Sequence, residues 1–126
     1  MNDAYERGMK VRRAVLGDAH VDRATAGITD FNKDFQDLIT RTVWGEIWSR
    51  PGLDRKTRSC MVLTTMIALG HWDEFRMHVR AALTEGGFTA DDIKEIILQQ
   101  AIYCGVPAAN HAFKEAAAVM AEIGKK

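Results

Sequence analysis

The chain contains only two prolines, Pro51 and Pro107, and this scarcity leaves long segments in which nothing interrupts a helix. Apolar residues in these segments recur three and four positions apart, whereas the strict alternation of apolar and polar residues that marks strands is scarce. The pattern predicts an all-α fold, a compact bundle of six or seven helices. A length of 126 residues fits one domain, which we expect to span residues 1–126.

Glycines, prolines and capping residues predict where these helices begin and end. The turn Ser49–Asp54 holds Pro51 and separates two of the longer helices. The predicted helices run from about Asp3 to Gly17, from about Val21 to Gly27, from Asp30 to Trp48, from Asp54 to Leu69, from His71 to Glu85, from Thr89 to Gly105, and onward from Pro107.

Charge and hydropathy exclude several classes of partner. Seventeen basic and seventeen acidic residues cancel, so no long-range field favours nucleic acid or an anionic membrane. No apolar run approaches the roughly 20 residues of a membrane span, and the first residues lack the hydrophobic region of a signal peptide. Cys60 and Cys104 are far apart and predict reduced thiols rather than a redox pair or a zinc site. We therefore expect a cytoplasmic protein.

The segment from Gly70 to Leu83 carries the most informative pattern of chemical groups. Residues three and four positions apart share one face of a helix, so this segment divides into three stripes. The apolar stripe, which should face the core, is Trp72, Phe75, Val79 and Ala82; the titratable stripe is His71, Glu74 and His78; the charged stripe is Asp73, Arg76 and Arg80.

Glu74 and His78 lie one helical turn apart, and this spacing suits an acid–base pair. The carboxylate can orient the imidazole, stabilise its protonated form and raise its pKa. The alternative is a solvated pair worth a few tenths of a kcal/mol, and such pairs are common on helix surfaces. A metal site has less support, because the spacing differs from the zinc motif HExxH and no further ligand follows nearby.

A second cluster, from Trp44 to Ser59, concentrates tryptophans and cations around a proline turn. Arg50 and Arg58 could bind carboxylates bidentately beside an aromatic wall. In the alternative interpretation the segment is a helical corner whose tryptophans pack and whose cations are solvated, and composition does not separate the two. His20, between the first helices, is by itself typical of a packed or capping histidine.

Four segments together resemble the carboxymuconolactone decarboxylase family, in the family's order: Arg12–Ala24, Ile28–Ser59, Glu74–Ala82 and Ile102–Asn110. The resemblance extends from about Tyr5 to Gly124. It implies the all-helical alkylhydroperoxidase D-like fold and a homo-oligomer, a hexamer or a trimer. The peroxidase branch of that superfamily carries CxxCxxxH on the corresponding helix. With its histidine placed on His78, His71 and Glu74 stand at the cysteine positions, so the thiol chemistry is absent.

The resemblance also implies a reaction, the decarboxylation of γ-carboxymuconolactone to β-ketoadipate enol-lactone in protocatechuate catabolism by the β-ketoadipate pathway. The electrons left by CO2 delocalise through the ring alkene onto the lactone carbonyl. Because the substrate is its own electron sink, we expect neither cofactor nor metal. The rival functions are a thiol-independent relative of the peroxidases and a non-catalytic helical oligomer.

The family's chemistry assigns expected roles to residues of this sequence. His78 would donate a proton to the ring or a hydrogen bond to the lactone oxyanion, and Glu74 would orient it. The remaining expected residues bind the dicarboxylate lactone: Arg50 and Arg58 first, Arg76 and Arg80 as reserves, and His20 and Trp44 as further pocket residues.

Overall fold

The computed structural model describes residues 3–124, and within that range the regular elements are helices, without a strand. They are α1 (Asp3–Leu16), α2 (Asp18–Ala26), α3 (Lys33–Leu38), a π-helical segment (Ile39–Ile47), α4 (Arg55–Leu69), α5 (Trp72–Thr84), α6 (Ala90–Tyr103) and α7 (Val106–Glu122). The predicted all-α class is confirmed. None of the helices described is long and apolar enough to cross a membrane.

The chain divides into two compact units, an amino-terminal unit that ends at Arg55 and a carboxy-terminal unit that begins at Lys56. The expected single domain over residues 1–126 stays a prediction, and its first and last two residues lie outside the described range. Each unit has its own packing.

Most predicted helix ends agree closely with the structure, and the capping pattern before α6 explains one of them. Thr89 Oγ1 accepts a hydrogen bond from the Asp92 amide at 3.1 Å, and the Asp92 carboxylate accepts one from the Thr89 amide at 2.9 Å. This reciprocal pair satisfies two amides that the first helical turn leaves without partners. Helix α2 begins at Asp18, earlier than the predicted Val21.

The predicted helix from Asp30 to Trp48 is wrong in its start and in its backbone ladder. Thr29 and Asn32 exchange side-chain and backbone hydrogen bonds in a turn, so α3 begins only at Lys33. From Ile39 the ladder is π-helical, and the Trp48 amide donates to the Val43 carbonyl, five residues back, at 2.9 Å.

This wider ladder changes which face of the segment is buried. From Ile39 each backbone hydrogen bond spans five residues instead of four. The α-helical spacing of three and four residues therefore no longer identifies the buried positions of this segment. Phe31, Phe35 and Leu38 precede the π-helical segment and are exposed, so they do not extend its buried face. The buried residues are Thr40, Trp44, Gly45 and Trp48.

Helix α1 and the π-helical segment approach each other backbone to backbone at two glycines. A Cβ atom on Gly8 would lie 1.9 Å from the Thr40 carbonyl oxygen, and one on Gly45 would lie 2.2 Å from the Ala4 carbonyl oxygen. Arg7 Nε also donates to the Gly45 carbonyl at 2.7 Å. Only glycine permits this contact, and it fixes the position of Arg12, one turn beyond Gly8 on α1.

The carboxy-terminal unit is built around an apolar core of side chains from α4, α5, α6 and α7. The predicted apolar stripe of α5 is confirmed, since Phe75, Val79 and Ala82 are buried and Trp72 packs against the same cluster. Small residues on α7, Ala109, Ala112 and Ala116, let that helix approach closely.

Candidate active site

Helix α5 carries both members of the predicted acid–base pair. Glu74 is exposed and His78 is half-buried, one turn apart. Their neighbours in sequence, Phe75 and Val79, are almost completely buried and set the rotation of the helix. The pair therefore lies along the border between the core-facing side of α5 and its exposed side. A titratable side chain at such a border is reachable by a substrate and partly shielded from water, as proton transfer requires.

The charged stripe of α5 is engaged with α7 of the same unit. The Arg76 guanidinium binds the carboxylates of Asp73 and Glu115, and Arg80 binds that of Glu122. The hydrogen bond from Arg76 holds the pKa of Glu115 below its usual value, against the opposing effect of burial. Arg76 and Arg80 thus tie two helices together, and their role in substrate binding stays a prediction.

Sequence reasoning missed an aromatic and polar seam that continues this contact between α5 and α7. The rings of Trp72 and His111 stack with centroids 4.1 Å apart and planes 13° apart. His111 Nε2 lies 3.6 Å from Glu115 Oε1, so Glu115 meets both a histidine and Arg76. The spacing of His111 and Glu115, four residues apart, was the available signal. The seam joins the first turns of α5 to α7.

The remaining predicted residue of this unit, Arg58, is half-buried on α4, beside the buried Ser59. Both cysteines of the unit, Cys60 and Cys104, are free and half-buried, and Cys104 Sγ lies 3.3 Å from Gln100 Oε1. Their reduced state stays a prediction.

The other predicted residues lie in the amino-terminal unit. Trp44 is buried with its ring centroid 4.9 Å from that of Trp48, so these tryptophans do pack together. Arg50 is exposed in the turn that follows the π-helical segment. His20 is half-buried on α2, and burial, followed by the positive charges of Arg12 and Arg23, lowers the pKa of its imidazole.

The amino-terminal unit also contains a pocket of about 440 Å³ that no predicted site residue lines. Its wall includes Arg12, which is only 6% exposed. The sequence held a signal for this residue, because Arg12 shares the buried face of α1 with Gly8, Val11 and Val15. A cation at helical spacing among apolar positions is uncommon and marks a site that needs explanation.

A family model and several known proteins are similar to this chain. The chain matches the model of the carboxymuconolactone decarboxylase family over residues 33–118. It is 48% identical to a 4-carboxymuconolactone decarboxylase of Acinetobacter baylyi, over 98% of this chain and 93% of that protein. It is 43% identical to a nitrosuccinic acid decarboxylase of Metarhizium robertsii, over 82% of this chain and 71% of that protein. A 4-carboxymuconolactone decarboxylase of Pseudomonas putida is 60% identical over 42 residues, which are 33% of this chain and 88% of that sequence.

Proposed function

The chain belongs to the carboxymuconolactone decarboxylase family, and from this premise we propose that it converts γ-carboxymuconolactone to β-ketoadipate enol-lactone and CO2. The observation that carries the proposal is 48% identity, over 98% of the chain, to the Acinetobacter 4-carboxymuconolactone decarboxylase. The protein is then a carboxy-lyase of protocatechuate catabolism by the β-ketoadipate pathway. This function is the one that the sequence motifs imply.

The reaction makes defined demands on the protein. When the C–C bond to the departing carboxylate breaks, its electron pair moves through the ring alkene to the lactone carbonyl oxygen. The resulting dienolate must be stabilised by hydrogen-bond donors and then protonated at the ring carbon next to that carbonyl. No electrons are gained or lost overall: one ring carbon loses CO2, the alkene shifts, and the proton adds to the ring carbon next to the carbonyl. One positioned acid and one oxyanion donor are the minimum requirement.

We assign the proton transfer to the α5 pair. His78 can carry the proton, and Glu74, one turn away, can orient the ring and stabilise its protonated form. The half-buried position of His78 and the firm attachment of α5, by its buried apolar stripe and by the seam to α7, support the assignment. A fixed helix holds a reacting group in one geometry, which lowers the activation barrier.

Arg50 and Arg58 are the proposed ligands of the substrate carboxylates. An arginine on the acetate side chain binds ground state and transition state alike, so its loss should raise KM more than it lowers kcat. An arginine that bound the departing carboxylate tightly would stabilise the ground state and slow the reaction. Kinetics of separate Arg50→Gln and Arg58→Gln variants therefore distinguish these roles. A higher KM with little change in kcat indicates binding of the acetate side chain, whereas a higher kcat indicates an arginine on the departing carboxylate.

We also propose a cytoplasmic homo-oligomer, a hexamer or a trimer. Each unit exposes large apolar side chains: Phe31 is 99% exposed in the first, and Ile102 and Tyr103 are 80% and 79% exposed in the second. Large apolar side chains that are this exposed support association with a second surface. Sedimentation equilibrium of the purified chain gives the stoichiometry, and a monomer at micromolar concentration would contradict the proposal.

The deciding experiment measures CO2 release from enzymatically generated γ-carboxymuconolactone. His78→Gln should lower kcat by about 10²–10⁴-fold and Glu74→Gln by a smaller factor. The matched control is His71→Gln, which changes an exposed histidine at the start of the same helix and should retain activity. Full activity in both His78→Gln and Glu74→Gln would overturn the residue assignment. No CO2 release by the wild-type oligomer would overturn the function itself.

A further inference from the structure

The pocket of the amino-terminal unit contains a buried cation whose charge the described chain does not balance. Arg12 is 6% exposed, and it forms no ion pair with any carboxylate among residues 3–124. Its hydrogen bonds go to neutral acceptors, Gln36 Oε1 from Nη1 and Nη2 and Thr40 Oγ1 from Nη1, each at 3.3 Å. Buried charges in proteins are normally paired, so this arrangement is unusual.

The guanidinium also has unused hydrogen-bonding capacity. It carries five N–H donors, and the three hydrogen bonds to Gln36 and Thr40 leave two of them without an acceptor among residues 3–124. Nε is buried and has no hydrogen-bond partner in the structure. Burial lowers the pKa of Arg12, yet an arginine side chain stays charged at neutral pH. The neutral contacts therefore place the cation without supplying its counter-ion.

The nearest acidic side chains of the pocket do not serve as that counter-ion. Asp37 binds Arg41, with Oδ2 2.7 Å from Nε. Asp34 is exposed and shares no ion pair with Arg12. The lining holds three cations, Arg12, Lys33 and Arg41, against these two carboxylates. The lining of the pocket therefore carries one net positive charge, and Arg12 is the most buried of its charged residues.

Other walls of the pocket are apolar. Tyr5, Met9 and Ile28 contribute to the lining beside the polar groups. A volume of about 440 Å³ is within the range of sites for small organic ligands. A free phosphate would fill little of this space and would leave the apolar wall unused. The lining favours an anion with an apolar body.

We propose that this pocket binds a small organic carboxylate, whose carboxylate group pairs with the Arg12 guanidinium and whose apolar part lies against Tyr5, Met9 and Ile28. A guanidinium offers planar, forked donors that match a carboxylate, and the pairing supplies the counter-charge that residues 3–124 do not provide. Gln36 and Thr40 act as positioning residues that hold the guanidinium at the pocket wall. This site stands on the amino-terminal unit alone and does not depend on the decarboxylase function.

The test is a titration of the intact oligomer with hexanoate, followed by the methyl resonances of Met9 and Ile28. Reporters inside the pocket separate binding here from binding at α5. Two variants remove the unbalanced charge: Arg12→Met deletes the cation, and Gln36→Glu places a carboxylate where the Gln36 oxygen already contacts both Nη atoms. We expect each to weaken hexanoate binding at least tenfold. The control Arg13→Met changes the adjacent arginine, which pairs with Asp18 and Asp22, and should bind like the wild type.

The neutral ester methyl hexanoate and inorganic phosphate complete the design. Both should bind more weakly than hexanoate, since one lacks the charge and the other the apolar body. Circular dichroism and sedimentation establish whether each variant is folded and assembled. If Arg12→Met does not fold, Gln36→Glu still tests the proposal, because it neutralises the same charge. The proposal fails if the pocket resonances do not respond to hexanoate, if both variants bind it like the wild type, or if the ester or phosphate binds equally well.

Discussion

Arg12 in the amino-terminal unit and Arg76 in the carboxy-terminal unit both reach from one helix to another, but their charges are balanced in opposite ways. Arg12 is buried, and among residues 3–124 its hydrogen bonds go to neutral oxygens of Gln36 and Thr40. Arg76 is 39% exposed at its side chain and binds two carboxylates. The more deeply buried cation has the weaker partners, which is the reverse of what stability alone would favour.

The packing of the two units explains how this difference arises. In the first, glycines bring α1 and the π-helical segment into backbone contact, and Arg12 is held one turn beyond that contact. In the second, helices pack through apolar side chains, and the polar edges of α5 and α7 are free to form ion pairs. The comparison teaches that Arg76 and Arg80 join α5 to α7 through ion pairs. The charge of Arg12 has only neutral hydrogen-bond acceptors among residues 3–124, and this supports the proposed carboxylate ligand.

The largest effect should come from breaking the backbone contact. Gly8→Ala places a Cβ atom 1.9 Å from the Thr40 carbonyl oxygen, so α1 must move away. We expect the free energy of unfolding to fall by about 3 kcal/mol. Gly52→Ala is the control, because nothing lies within 4 Å of its Cβ position. Urea unfolding measures both, and an unchanged Gly8→Ala variant would refute the tight contact.

Replacing each arginine by methionine should change stability in opposite directions. Arg12→Met removes a buried charge without a counter-ion, and we expect the free energy of unfolding to rise by about 1 kcal/mol. Arg76→Met removes an ion-paired cation and leaves Glu115 without that partner, so stability should fall. Chemical denaturation at neutral pH gives the two signs. Loss of stability in both variants would remove the contrast between the units.

A smaller effect concerns acid stability of the carboxy-terminal unit. The hydrogen bond from Arg76 keeps the pKa of folded Glu115 below its ordinary value of 4.5. The stabilisation is therefore complete above the unfolded-state value and is lost as the pH falls through the lower, folded value. Glu115→Gln should be less stable than the wild type at pH 7, and the two should converge in acid. Glu95→Gln, at an exposed position of α6, should follow the wild-type curve.

The smallest effect is a change in the titration of His20. Burial is the largest cause of its lowered pKa, and the charges of Arg12 and Arg23 add to it. Arg12→Met should raise this pKa while leaving it below the ordinary 6.5, because burial remains. Imidazole resonances followed by NMR measure the change. An equal rise in Arg13→Met would show that the effect is not specific to Arg12.

Patterns local to one helix were predictable from the sequence. Helical spacing placed Phe75 and Val79 in the core and put Glu74 and His78 on the adjoining stripe of α5, and the Thr89 and Asp92 pair marked the start of α6. These features depend on residues within one or two turns of each other, so their physical cause lies within the segment itself.

The π-helical segment was not predictable in the same way. Its apolar residues fit an α-helical face, and the start of the segment is fixed by a turn between Thr29 and Asn32. The π-helical segment packs against α1, and Gly8 and Gly45 each lie close to the backbone of the opposite helix. A contact between residues far apart in sequence thus overrides the local pattern.

By itself the sequence determined that the protein is all-helical, where most of its helices end, the family to which it belongs and the helix that carries Glu74 and His78. Only the tertiary structure decided which arginines are neutralised. Arg76 and Arg80 meet carboxylates on α7, some forty residues away, whereas Arg12 meets Gln36 and Thr40 and lines a pocket. Periodicity reports the face on which a side chain lies, but the groups facing it come from other helices, and they determine whether its charge is balanced within the chain or by a ligand.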